Sequence, residues 1–257
     1  GDSLGMVIQG LENTLPVKLE QVIYQTRAVS RGLTNCHLVA DMPFMTYQES
    51  PRTALRAAGR LIQEGRAHAV KLEGGKSVVK QVEKLVSSGI PVMGHVGLTP
   101  QSVHAMGGFK VQGKTPSAAR RIKLDAQALQ EAGCYSLVLE SIPADIAAEI
   151  TTSLSIPTIG IGAGPACDGQ VLVSYDLLGL NSGFAPKFVK RYANLDQTVS
   201  QAVQSFVEDV KRGLFPDPKH AYHPRPDVTP AKAGIQKSLD LPTSLDSRGR
   251  GNDVLIV

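Results

Sequence analysis

Short apolar runs alternate with longer amphipathic stretches along most of this chain. Residues 36–40, 68–72, 91–95, 135–139, 156–160 and 169–173 have the length and apolar character of strands. Between them, apolar residues recur at helical spacing, as in Leu19, Val22, Ile23 and Ala28, then in Leu55, Ala58, Leu61 and Ile62. The punctuation agrees with this reading. Ser50-Pro51 and Thr115-Pro116 supply an N-cap followed by a first-turn proline. Pro16 is expected to open the first helix and Asp196 to cap the last. Gly32, Gly65, Gly89, Gly133 and Gly213 close helical stretches. Repeated strand–helix units of this kind predict an α/β fold with a parallel sheet. Asp41, Glu73, His95 and Glu140 are each placed at the carboxyl end of an apolar strand. In a closed (β/α)8 TIM-type barrel these ends share one rim, where active sites sit, so the barrel is favoured over a doubly wound sheet.

Composition narrows the class. The chain is 42% apolar and 19% charged, as in an ordinary globular protein. No apolar stretch is long enough to span a bilayer, and no basic leader followed by an apolar run is visible. Cys36, Cys134 and Cys167 lie far apart, which suits neither a disulfide framework nor a thiolate zinc site and fits a reducing compartment. The net charge of +4 is scattered, aromatics make up 5%, and Trp is absent, so nucleic acid is not an expected partner. A cytoplasmic enzyme with no membrane partner is the expectation.

Two glycine signals are set aside. Gly160-Ile-Gly-Ala-Gly164 departs from a dinucleotide fingerprint, because Pro165 takes its last glycine position. It reads instead as a tight turn where backbone approaches a neighbour. Gly75-Lys-Ser77 resembles the end of a phosphate loop whose first glycine would fall at Val70. The acidic set is more informative. Asp2, Asp41 and Glu73 are hard oxygen donors of the kind Mg²⁺ prefers, and such an ion usually keeps open positions for water or substrate. Lys71, two residues before Glu73, faces the same side of its strand. A lysine there needs carboxylates or an anionic substrate to offset its burial. His95 is either a hydrogen-bonded rim histidine or a substrate contact.

Seven motifs, in order and at compatible spacing over residues 1 to about 223, resemble the ketopantoate hydroxymethyltransferase family. They are Gly1-Asp-Ser-Leu-Gly5, Ala40-Asp-Met-Pro-Phe44, Val70-Lys-Leu-Glu-Gly-Gly75, Gly94-His-Val-Gly-Leu-Thr-Pro-Gln101, Gly107-Gly-Phe-Lys-Val-Gln-Gly113, Leu139-Glu-Ser-Ile-Pro143 and Ile159-Gly-Ile-Gly-Ala-Gly164. The resemblance implies a (β/α)8 barrel of the phosphoenolpyruvate mutase/isocitrate lyase type. It implies transfer of a hydroxymethyl group from 5,10-methylenetetrahydrofolate to 3-methyl-2-oxobutanoate, with one Mg²⁺ per subunit and a homo-oligomer, a decamer in the family. By motif, Asp2, Asp41 and Glu73 correspond to the metal site. Asp2, Ser3, Asp41 and Lys71 correspond to ketoacid-binding positions, and Glu140 to the catalytic base. Two other readings use the same residues: another Mg²⁺-dependent carbon–carbon bond lyase of the same superfamily, or an inactive truncated remnant of the transferase.

The ends carry their own expectations. Family members place a first strand, a first helix and most of a second strand before the Gly1 motif, so the resemblance implies an N-terminally truncated barrel over residues 1–223. Such an opened barrel is expected to be poorly soluble and weakly active. Residues 224–257 show no sustained period until Val254 and read as a disordered tail. They resemble translated repeat DNA and are expected to be an accidental extension.

Overall fold

A computed structural model describes residues 1–223 apart from 182 and 184; the tail expected at 224–257 lies outside the described residues. The chain divides into two units, Gly1–Ala193 and Asn194–Val257. In the first, six strands alternate with helices: α1 (Leu4–Val7), α2 (Leu19–Gly32), β1 (Val39–Asp41), α3 (Pro51–Gln63), β2 (Ala69–Glu73), α4 (Val79–Ser87), β3 (Val92–Gly97), α5 (Pro116–Glu131), β4 (Ser136–Glu140), α6 (Ala144–Ser153), β5 (Thr158–Ile161), β6 (Gly169–Gln170) and α7 (Ser174–Leu178). The second contains α8 (Leu195–Lys211) and a short 3-10 turn at Pro218–His220.

All six strands pair in parallel, in chain order from β1 to β6. A doubly wound sheet would reverse its strand order at a switch point; this one advances without reversal, as the strands of a barrel do. Closure is not seen. Among the described residues, β1 and β6 are the sheet's edges and the eightfold ring of the sequence expectation is an open six-stranded sheet.

Local chemistry explains the elements. Ser50 caps α3 by accepting from the Thr53 N–H at 3.1 Å, with Pro51 as the first helical residue. Thr115 does the same for α5 with the Ala118 N–H at 3.2 Å. The expected face of α3 buries Ala58 and Leu61 fully, with Ala54 and Ala57 beside them, whereas Leu55 and Ile62 pack at its margin. Leu61, Val82, Leu85, Leu129 and Ile150 from the helices meet Val70, Leu72, Val92, Leu137 and Leu139 from the strands in one core. Each such side chain, fully buried, contributes roughly 1.5–3 kcal/mol.

Some boundaries differ from expectation. The first strand covers Val39–Asp41 and the sixth only Gly169–Gln170. Lys18, rather than Pro16, stands at the N-cap of α2. Asn194 occupies the N-cap position of α8, so Asp196 lies inside its first turn instead of capping it. There a carboxylate still opposes the positive end of the helix dipole. At the decoy turn Gly164 has φ +79°, and a Cβ there would overlap Ala144 at the start of α6. That close approach is what the glycines serve.

Candidate active site

Asp41, Glu73 and Glu140 are the last residues of β1, β2 and β4, so parallel pairing brings them to one edge of the sheet. His95 lies inside β3 rather than after it, paired in register with Glu73. On β2, Val70 and Leu72 enter the core while Lys71 and Glu73 take the opposite face. Asp2 arrives from outside the sheet, in the turn before α1, and its N–H donates to Asp41 Oδ2 at 3.0 Å. Ser3 stands at the N-cap of that helix, with no capping bond from its hydroxyl.

Two groups form. In the first, Lys71 Nζ lies 2.9 Å from Asp41 Oδ1, with Asp2 beside them. Burial would raise the Asp41 carboxyl, but the Lys71 ammonium, the Gly1 amino group and the hydrogen bonds from Lys71 and the Asp2 N–H together hold the group well below the carboxylate range. Asp2 is raised, first by burial and then by the neighbouring Asp41 charge. Burial disfavours the Lys71 ammonium, yet Asp41, Glu73 and Asp2 together raise its pKa. In the second group, His95 is 2% exposed and stands between two carboxylates. Its Nε2 is 3.1 Å from Glu140 Oε2, and its Nδ1 is 3.6 Å from Glu73 Oε1. Neither ring nitrogen is aligned for a hydrogen bond, so the separations mark proximity, not completed bonds. Burial, opposed by His95 and Lys71, pushes the Glu73 carboxyl up to about 7.

Gln101 joins the two groups. Its side-chain Nε2 donates to Asp2 Oδ2 at 2.8 Å, and its backbone N–H donates to Glu73 Oε2 at 2.9 Å. Tyr47, 1% exposed, donates its hydroxyl to Gln101 Oε1 at 2.7 Å and accepts from the Glu73 N–H at 3.1 Å. Sequence reasoning assigned neither residue. Gln101 closes the quoted Gly94–Gln101 motif, and Tyr47 follows the Ala40–Phe44 motif by three positions, so position in a motif was the available signal.

The donor chemistry suits a hard divalent cation. Asp2, Asp41 and Glu73 are all buried carboxylates, and the Lys71 ammonium offsets one of their charges. Among the described residues, no three His, Cys, Asp or Glu side chains are gathered into a single group in this metal-free arrangement. Asp2 and Asp41 are neighbours, but one Glu73 oxygen is taken by the Gln101 N–H and the other faces His95. Among the described residues, no helix is long and apolar enough to cross a membrane.

Known proteins place this edge in context. In solved structures, similarity to phosphonopyruvate hydrolase, crystallised with oxalate and Mg²⁺, reaches a TM-score of 0.52 at 13% identity, covering 86% of this chain and 79% of that one. At that identity the likeness concerns the fold. The 3-methyl-2-oxobutanoate hydroxymethyltransferase of Syntrophus aciditrophicus is 57% identical over 222 residues, 86% of this chain and 82% of that protein. That of Clostridioides difficile is 54% identical over 222 residues, 86% and 81% respectively. The family model for ketopantoate hydroxymethyltransferase matches residues 1–218. That span contains Asp2, Ser3, Asp41, Lys71, Glu73, His95 and Glu140, and with relatives 57% and 54% identical over most of its length the chain belongs to the ketopantoate hydroxymethyltransferase family.

Proposed function

We propose that the chain transfers a hydroxymethyl group from 5,10-methylenetetrahydrofolate to 3-methyl-2-oxobutanoate, giving 2-dehydropantoate, on a (β/α)8 barrel of which the six-stranded sheet is part. The observation that carries this reading is the pairing of two unlike groups on one sheet edge. Asp2, Asp41 and Lys71 form a charged cluster, and Glu140 stands outside it, beside His95. The chemistry needs both: a place for an anionic ketoacid and a separate base.

Asp2, Asp41 and Glu73 would hold Mg²⁺. Bound there, the ion supplies Lewis-acid stabilisation of charge developing on the keto oxygen, worth several kcal/mol. Lys71 offsets the substrate carboxylate, and Ser3 lies at the same corner with its hydroxyl available. Glu140 takes the C3 proton, a step for which a positioned carboxylate contributes typically ~10²–10⁴-fold. Water adds to the folate's methylene carbon, both of its C–N bonds break, and tetrahydrofolate departs to leave a formaldehyde-level carbon. The electron pair left at C3 then forms the new bond to that carbon, whose oxygen takes up a proton to become the hydroxyl.

Glu140→Gln tests the assignment. The variant should bind the ketoacid as the wild type does, yet lose deuterium incorporation at C3 in D₂O. Exchange at the wild-type rate would show that another group is the base. A wild-type chain that exchanges C3 but makes no product with the folate would favour a different Mg²⁺-dependent enzyme of the superfamily.

A further inference from the structure

We infer that Gln101, locked in place by Tyr47, is the positioning residue that sets the Asp2 and Glu73 carboxylates relative to each other for cation binding. This rests on the proposed function and adds to it the residues that orient the carboxylate pair. Gln101 is 6% exposed, and its carboxamide is saturated. The two N–H bonds go to Asp2 Oδ2 at 2.8 Å and to the Met42 carbonyl at 2.9 Å. Oε1 accepts from the Tyr47 hydroxyl at 2.7 Å and from Gln48 Nε2 at 3.0 Å. Turning the amide over would set Oε1 against a carboxylate and a carbonyl, acceptor against acceptor, so the network admits one orientation. The backbone N–H of the same residue holds Glu73 Oε2. One residue therefore grips one oxygen of each of two carboxylates from different parts of the chain.

The choice of a neutral donor has a chemical consequence. A lysine here would cancel the charge a divalent cation needs, and a glutamate would add repulsion to a pocket where Asp2 already faces Asp41. A carboxamide orients both carboxylates and leaves their charge intact. Tyr47 is suited to anchor it. Its backbone carbonyl accepts from Gln81 Nε2 at 3.2 Å, and burial, then the Glu73 charge, raise its phenol, so it remains a proton donor. Partners of this kind orient metal-holding carboxylates, and their loss typically costs ~10–100-fold in metal affinity.

The test measures Mn²⁺ binding to the metal-free full chain by electron paramagnetic resonance, without substrate. Gln101→Met should weaken Mn²⁺ binding by about ten-fold or more. Tyr47→Phe, which removes one hydroxyl and keeps the ring, should weaken it in the same direction by less. Saturating metal should restore most of the C3 exchange rate in Gln101→Met, because Glu140 is untouched; a merely structural role would lose exchange at every metal concentration. If Gln101→Met does not fold, Tyr47→Phe decides. Wild-type Mn²⁺ affinity in a folded Gln101→Met, or in Tyr47→Phe when it decides, overturns the inference. A wild-type chain that binds no Mn²⁺ overturns the metal reading itself, which is a different result.

Discussion

Gly97→Ala is the substitution in which backbone geometry and chemistry meet. Gly97 ends β3 opposite Glu140 in the β3–β4 register, and the next residue, Leu98, donates its N–H to the Glu140 carbonyl at 2.8 Å. Its φ is +98°, and a Cβ added there would fall on the Glu140 carbonyl oxygen and lie 2.8 Å from Ile142 Cγ2. Two costs follow. Holding a residue with a side chain at such a φ costs ~1–3 kcal/mol. Relieving the overlap by shifting packed backbone costs another ~1–3 kcal/mol. The loss is a large share of a typical stability of about 5–15 kcal/mol. With a mid-range urea m-value of ~2 kcal/mol/M, the combined cost of ~2–6 kcal/mol should lower the unfolding midpoint by about 1–3 M. The shift also moves the residue that carries the candidate base, and a displacement near 1 Å can cost ~10²-fold in rate. Urea titration by circular dichroism, paired with C3 deuterium exchange on the folded protein, checks both. A wild-type midpoint together with wild-type exchange would refute the argument that the Glu140 backbone leaves no room for a side chain at residue 97.

Lys71→Met removes the ammonium that Asp41 meets at 2.9 Å and leaves two neighbouring buried carboxylates uncompensated. Metal-free protein should lose ~3 kcal/mol or more in chemical denaturation, with weaker ketoacid binding by calorimetry, and an unchanged midpoint would contradict the pairing. Asp168 offers a pH test away from the site. Its carboxylate accepts from the Thr158 N–H at 2.8 Å and from the Thr158 hydroxyl at 3.0 Å, and these bonds hold its pKa below the ordinary value. A carboxyl depressed on folding stabilises above its unfolded pKa of about 3.9 and loses that contribution as pH falls through the folded value. The Tm gap between wild type and Asp168→Asn should therefore be present at pH 7 and close on acidification; a gap independent of pH would show that the carboxylate charge is irrelevant.

Local chemistry determined much of this protein. Strand and helix order followed from period and punctuation, because Ser50, Thr115 and the helix-closing glycines act within a few residues of themselves. The carboxylates at strand ends were legible for the same reason: in parallel strands, chain direction alone sends Asp41, Glu73 and Glu140 to a common edge. Other features depended on atoms distant in sequence. Asp2 and Gln101 are 99 positions apart, and Tyr47 and Gln101 are 54 apart, so no spacing rule connects them. Whether three acidic residues converge on one point depends on side-chain direction and competing partners. In the folded chain one Glu73 oxygen accepts from the Gln101 N–H, and the other lies 3.6 Å from His95 Nδ1. Residue type named the donors that could meet a cation; packing decided which ones stand together, since hydrogen bonds and burial act at ångström range and sequence patterns specify only the element and the face.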